Sequence, residues 1–450
     1  MDDVVELARL LGNRLVTHPD VLHQHGIDES YHAPQPPDAV AYPQTIDEIA
    51  AIVSECARSA TPVIPFGAGT SLEGHVAAYR GGVCVDLSRM NRVLEIRPDD
   101  MDADVQPGVT KNQLNATLRD HGLFFPVDPG SDATIGGMAA TRASGTTTVR
   151  YGTMRENVLS MRVVLANGRI IRTSSRARKS AAGYDLTNLF IGSEGTLGII
   201  GELTVRVFGV PEAIAAARCV FPSVEAAVRS VIETIQLGIP VTRIELLDDM
   251  QIDAVNRYSG RDYLVAPTLF YEFQGSERGV VENAESASSI AADNGGSSFD
   301  WSTGQKERAR LWDARHDAYY AALAVRPGSR GFVTDVCVPI SQLAECIVAT
   351  QEDLRASGLV APIVGHVGDG NFHLIFCISE DADELARIEA FNDRLVRRAL
   401  AMGGTCTGEH GVGYGKARYM REEHGDAMDV MAAIKQALDP KGILNPGKVV

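Results

Sequence analysis

Four glycine-rich segments between residues 65 and 198 limit the first half of the chain to a fold whose loops bring bare backbone against something large. They are Pro65-Phe-Gly-Ala-Gly-Thr-Ser71, Asp128-Pro-Gly-Ser-Asp-Ala-Thr-Ile-Gly-Gly137, Ala143-Ser-Gly145 with Tyr151-Gly152, and Ile191-Gly-Ser-Glu-Gly-Thr-Leu-Gly198. Glycine has no Cβ, so successive N–H groups can converge on phosphate oxygens, and neighbouring Ser and Thr hydroxyls add donors. One such segment is ordinarily a tight turn; four in succession point to a large anionic ligand. Two phosphate motifs are excluded. A P-loop needs GK[ST] after its glycines, whereas the 67–74 run ends in Glu73-Gly74 before His75. A Rossmann fingerprint needs a helix to open at the glycines, and His75-Val-Ala-Ala-Tyr-Arg-Gly-Gly82 is a poor helix. Loops between small subdomains must therefore hold the phosphate.

A second constellation lies in His366-Val-Gly-Asp-Gly-Asn-Phe-His373. Asp369-Gly370 is a two-residue type I′ hairpin signal, which places Gly368 opposite Asn371, Val367 opposite Phe372 and His366 directly opposite His373. Opposed residues have Cβ atoms roughly 4.5–5.5 Å apart, close enough for both rings to hold one metal ion. Gly408-Glu409-His410-Gly411 supplies a carboxylate and a third imidazole. Two histidines with one carboxylate suit zinc, manganese or iron, with positions left open for a substrate. The competing reading is a surface hairpin with accidentally opposed histidines.

The net charge of −16 argues against nucleic acid or an anionic membrane as the main partner, and leaves a basic protein partner open. No apolar run is long enough to span a bilayer, and the acidic start MDDVVELARLLGNR is no secretory or transit signal; a cytoplasmic location is expected. Peripheral membrane association and a homodimer stay compatible with it. Seven scattered cysteines without a CxxC pair suggest reduced thiols and no iron–sulfur module. Along the chain, Thr45-Ile-Asp-Glu48 reads as a capping box opening a helix to about Ala60, PVIPF as a strand, and Thr110 as the cap of a helix that Gly122 ends. Asn167-Gly168 marks a hairpin. After Pro211, strands near 214–221, 241–246, 264–273, 331–338, 360–367 and 372–378 alternate with helices near 223–237, 276–293, 304–325, 340–356 and 382–402. This pattern predicts an antiparallel sheet covered by helices on one face. A last helix is expected near 426–438.

PFGAGTSLEGH, VDPGSDATIGGMAA, RYGTM, KSAAGYDLTNLFIGSEGTLGII, HVGDGNFH, GEHGVG and the terminal NPGK, in this order from about residue 38 to 450, resemble the FAD-dependent D-2-hydroxyacid dehydrogenases. These are flavoproteins of the vanillyl-alcohol-oxidase type, and the cytochrome-type D-lactate dehydrogenases give the strongest likeness. The resemblance implies an α+β fold: a two-subdomain FAD-binding domain over 1–210, a cap domain with an antiparallel sheet and helices over 211–405, and a C-terminal segment, 406–450, returning to the flavin. It implies pyrophosphate contacts from Gly67, Ala68, Gly69, Thr70 and Ser71. Further FAD contacts are implied from Pro129, Ser131, Thr134, Gly137, Ser144, Gly145, Glu194, Gly198, Ile200 and Asn445. Relatives with covalent FAD use a histidine in an Arg-Ser-Gly-Gly-His-like segment; PFGAGTS has none, so noncovalent FAD is expected.

The resemblance also places a divalent metal on His366, His373 and Glu409, makes His410 the base, and gives Arg315 the substrate carboxylate, with Asn371 as a further polar contact. A guanidinium presents two parallel donors to a carboxylate, which Lys cannot imitate. Relatives specific for 2-hydroxyglutarate carry a lysine two positions before the aspartate matching Asp335. Here Val333 stands there, so D-lactate or another D-2-hydroxy monocarboxylate is expected. Electrons would pass to a cytochrome, a quinone or an electron-transfer protein. The alternatives are the flavoprotein subunit of a glycolate oxidase complex, a D-2-hydroxyglutarate dehydrogenase, a metal-free electron-transfer flavoprotein, and an oxygen-using alcohol oxidase.

Overall fold

The computed structural model describes residues 2–379 and 381–450. The chain divides into two compact units: Met1–Gly145, Gly152–Val210 and Glu409–Val450 form the first, and Thr146–Tyr151 with Pro211–Gly408 form the second.

The first unit holds two main sheets. A four-stranded sheet runs in the order Leu15–Val16, Ala39–Ala41, Val83–Asp86, Val63–Phe66, with the last three strands parallel. The other is five-stranded and antiparallel: Val93–Arg97, Asp102–Val105, Ile199–Arg206, Val158–Val164, Ile170–Arg172. The helix Ile46–Ser59 starts where Thr45 Oγ1 accepts from the Glu48 N–H, and it ends at Ala60 in the left-handed conformation (φ 59°). Ile46, Ile49, Ile52, Val53 and Cys56 recur at helical spacing and are buried against Val63, Val83 and Val85 of the first sheet and Val164 and Ile199 of the second. Burying each of the Ile and Val side chains among these contributes about 1.5–3 kcal/mol. The expected capping box is only half formed. Glu48 accepts from Gln44 N and pairs with Arg14 instead of returning to the Thr45 N–H.

The second unit is built on an eight-stranded antiparallel sheet. Its main path is Ser297–Ser302, Ala213–Val220, Thr268–Gly275, Val241–Leu247, Ile363–His366, Asn371–Ile378, Arg330–Val333, and Val336–Cys337 also pairs with Asn371–Ile378. Helices cover both faces, not one. Tyr271 faces the helix Val224–Gln236, its hydroxyl 3.4 Å from Ser230 Oγ, whereas its neighbour Phe270 packs toward Trp312 on the opposite face. Successive strand residues point to opposite faces, so these contacts assign one helical layer to each. The second layer contains the helix Asp249–Ser259, which the polar stretch DDMQIDAVNRYS does not announce. It also contains Gln305–His316 and Ala318–Ala324, expected as one continuous helix. They separate at Asp317, whose carboxylate accepts from Ser259 Oγ at 2.6 Å. Leu247, Phe270, Val364 and Ile375 form the sheet's side of this core.

Candidate functional site

In the first unit the glycine segments close on one another as backbone. A Cβ on Gly67 would lie 2.5 Å from Thr134 Oγ1, so the 67–71 loop abuts the start of the helix Ile135–Thr141, which Thr134 caps through the Gly137 N–H. Gly145 (φ 144°) brings its segment against the 128–129 loop, where a Cβ would meet Asp128 O at 2.0 Å. Gly69 also has positive φ (71°). Loops with glycine at these close approaches, and with Thr and Ser hydroxyls beside them, form a cradle that a long phosphate-bearing cofactor fits. Ser71 Oγ donates to Asp28 Oδ2 at 3.0 Å. Thr134 and Ser144 are buried, Pro129 and Ser131 half-buried, and Gly198 and Ile200 stand where Ile199–Arg206 enters the sheet.

Glu194 and Asn445 act as struts. Glu194, at φ 51° and fully enclosed, accepts from the N–H groups of Val412 (2.6 Å) and Gly413 (2.8 Å), and His75 Nε2 lies 3.3 Å from its Oε1. Burial opposes its charge, but His75 and the two amides outweigh it and hold the carboxyl below its ordinary range. Burial likewise opposes the His75 cation, and Glu194 overcomes it, so the imidazole is raised above its ordinary value. Asn445 Nδ2 donates to Glu194 O (2.7 Å) and His75 O (3.3 Å). Gly411 and Gly413 let the GEHG segment lie against this pair. A Cβ on Gly411 would come within 2.6 Å of His75 Nε2, and one on Gly413 within 1.9 Å of Glu73 O. Glu409 accepts from Ser144 Oγ at 2.9 Å, and His410 is half-buried.

In the second unit the hairpin register differs from the sequence expectation. His366 pairs with Asn371 and Val364 with His373, leaving a four-residue loop over Val367–Gly370. Of the two turn residues only Gly370 has positive φ (80°), so a type I′ turn does not form. The histidines are therefore diagonal, not directly opposed. They still share a face, because Val364 and His366 are two residues apart on one strand, and their ring centroids are 5.4 Å apart. Both rings are oriented through Nδ1. His366 Nδ1 lies 2.7 Å from Glu245 Oε1, and His373 Nδ1 donates to Thr334 O at 2.9 Å. With Nδ1 engaged in this way, Nε2 is the nitrogen that would ligate, the arrangement second-shell partners produce around metals. By the chemistry of this donor set, the residues fit a divalent ion.

Arg315, in the last turn of Gln305–His316, gives its Nε–H to Glu245 Oε2 at 2.7 Å. Burial would raise Glu245, but His366 and Arg315 hold its carboxyl below the ordinary range. Asn371 Nδ2 donates to Asp335 Oδ1 and Val336 O, both at 2.8 Å, and Thr407 Oγ1 donates to Asp335 Oδ2 at 2.7 Å. The Asn371 amide nitrogen therefore holds Asp335 in place, and contact with a ligand would fall to its carbonyl oxygen. Glu245 was not singled out in the sequence. The signal is a lone charge in the otherwise apolar strand segment Ile244-Glu-Leu-Leu247, since a buried carboxylate persists only where it is paired.

Residues 37–174 match the family "FAD binding domain" and residues 210–449 the family "FAD linked oxidases, C-terminal domain". The chain is 54% identical over 435 residues to "Probable D-lactate dehydrogenase, mitochondrial" of Danio rerio, covering 96% of this chain and 88% of the relative. It is 46% identical over 451 residues to "D-lactate dehydrogenase (cytochrome), mitochondrial" of Arabidopsis thaliana, covering 99% and 80%. "Glycolate oxidase subunit GlcD" of Bacillus subtilis is 35% identical over 420 residues, covering 92% and 89%. Among solved structures, p-cresol methylhydroxylase with substrate bound shares the fold at a TM-score of 0.83 and 19% identity, covering 100% of this chain and 96% of that one. With both families matched in order and such identity along nearly its whole length, the chain belongs to the FAD-linked oxidases, as a relative of the D-lactate dehydrogenases.

Proposed function

We propose that the protein oxidises D-lactate, or a closely related D-2-hydroxy monocarboxylate, to the 2-oxo acid and delivers the electrons to a cytochrome or quinone acceptor. The observation that carries the reading is the 54% and 46% identity, over nearly the whole chain, to proteins named D-lactate dehydrogenase. Bound FAD would supply the acceptor for the hydride that leaves the substrate Cα. The glycine loops at 67–71, 128–137 and 143–145 would hold it without a covalent link, while Glu194 and Asn445 tie the 191–198 segment to His75 and to the Val412–Gly413 backbone. His366, His373 and Glu409 are assigned to a divalent metal, which would lower the pKa of the substrate hydroxyl. His410 takes the hydroxyl proton, since a near-neutral imidazole is a competent base for an alcohol already acidified.

Arg315 grips the substrate carboxylate. Its Nε is given to Glu245, and among the described residues Nη1 and Nη2 have no hydrogen-bond partner, so the two-pronged end of the guanidinium is available. Val333, half-buried and paired with Ile375, offers no counter-charge to a second carboxylate, which favours monocarboxylates over 2-hydroxyglutarate. The charge of −16 is compatible with a basic protein acceptor. The match to glycolate oxidase subunits supports a second reading, in which this chain is the flavoprotein of a complex; copurification with other subunits distinguishes the two. The deciding experiment is anaerobic bleaching of the flavin by D-lactate, L-lactate, glycolate and D-2-hydroxyglutarate. Fast bleaching by D-lactate alone is expected, and faster reduction by glycolate or D-2-hydroxyglutarate would displace the reading.

A further inference from the structure

We infer that Glu245 is a positioning residue that couples substrate capture to metal binding, one carboxylate oxygen orienting Arg315 and the other orienting His366. The inference rests on the functional reading above. Glu245 is 0% exposed and stands on Val241–Leu247, in the interior of the eight-stranded sheet. This strand pairs Leu246 with Gly365 and Leu247 with Val364, so the same register carried one step further sets Glu245 beside His366. The two oxygens are divided between two partners: Oε1 lies 2.7 Å from His366 Nδ1, and Oε2 accepts from Arg315 Nε at 2.7 Å.

Each contact has a separate consequence. A carboxylate on Nδ1 fixes the imidazole tautomer with Nε2 as the ligand nitrogen and makes that nitrogen more basic. A carboxylate on Nε fixes the guanidinium plane and leaves the Nη1/Nη2 edge to receive a substrate carboxylate as a bidentate pair. An apolar side chain would fill this place in the sheet with no charge to compensate. A fully enclosed glutamate that touches one proposed metal ligand and the proposed carboxylate anchor is what linking those two functions requires.

The test uses the full-length, FAD-loaded protein with Glu245→Gln. The amide keeps the shape and can accept from one partner, but its NH2 cannot accept from the other. Manganese affinity is measured by competition with a chelator, and KM and kcat for D-lactate at saturating manganese. The expected result is a manganese affinity about 10–100-fold weaker, the range second-shell ligand partners command. KM is expected to rise severalfold while kcat at saturation and the FAD content hold. Arg315→Lys, run beside it, should raise KM and leave manganese affinity unchanged. Folded Glu245→Gln with wild-type manganese affinity and KM overturns the inference. So does a loss confined to kcat, or one confined to FAD content, the latter being what a merely structural role produces. If Glu245→Gln does not fold, Glu245→Asp, which keeps the charge and shortens the reach, is read in the same assays against the same criteria. A wild-type protein that binds no manganese and turns over unaffected by chelation overturns the metal reading itself, a result distinct from either outcome above.

Discussion

Glu194 shows how one residue can hold a cofactor loop without touching the chemistry. Its left-handed backbone and enclosed carboxylate are sustained by two amides and the His75 cation, so replacement by Gln leaves that cation unpaired. Glu194→Gln is expected to destabilise the folded protein by about 3–5 kcal/mol, the cost of breaking a buried pair, read as a shift in the urea midpoint. The pH dependence follows from the directions of the two shifts. Glu194 is lowered from 4.5, so its stabilisation is complete above 4.5 and lost as pH falls through the depressed value. His75 is raised from 6.5, so its contribution is complete below 6.5 and lost as pH rises through the elevated value. The difference in stability between wild type and Glu194→Gln should therefore be widest between about pH 4.5 and 6.5 and shrink on both sides. A difference flat from pH 3 to 9 would contradict the pairing. His410 has a different signature: His410→Ala is expected to retain FAD and lower turnover by about 10²–10⁴-fold, the span of general base catalysis. Undiminished D-lactate oxidation would remove it from the base's role.

At the scale of elements, the histidine hairpin shows where local signals stop. Asp369-Gly370 does mark the turn, and the strands flank it as expected, but the pairing is displaced. The cause lies outside the hairpin: Val338 N–H donates to Gly370 O at 3.0 Å, and a Cβ on Gly370 would meet Val338 O at 2.0 Å. That contact with the residue following the strand Val336–Cys337, some thirty residues earlier, accompanies the four-residue loop, which no pattern within 366–373 encodes. Gly370→Ala combines this collision with φ of 80°, and a destabilisation of about 1–3 kcal/mol is expected from the strained backbone. It should also weaken manganese binding by disturbing both rings, and an unchanged melting temperature would show that the loop has slack. The helices tell the same story. Ile46–Ser59 and Val224–Gln236 were legible because their caps and apolar spacing agree. Asp249–Ser259 was not, because its buried side consists of Gln251, Ile252, Ala254 and Val255 among polar neighbours. The break at Asp317 depends on Ser259, a partner from another helix.

For the whole molecule, two predictions concern the groups it holds. Denaturation followed by filtration should release all flavin, since no histidine stands in the 65–71 loop; flavin that stays with the polypeptide would contradict noncovalent attachment. Chelation should leave the flavin spectrum intact while abolishing its bleaching by D-lactate, with activity restored by a divalent ion. Bleaching at the original rate after complete metal removal would refute metal dependence. Among the described residues no helix is long and apolar enough to cross a membrane. The sequence by itself determined the elements whose signals are local: capped amphipathic helices, turns at glycine, alternating strands, and motifs such as GSEGTLG and HVGDGNFH that identify the family residue by residue. Steric and hydrogen-bond preferences within a few residues suffice for these. Only the tertiary structure decided the hairpin register, the second helical layer on the sheet, and the pairing of Glu245 with both Arg315 and His366. Each of these depends on atoms far apart in sequence, where the arrangement that pairs every buried charge and fills the core prevails over the local preference.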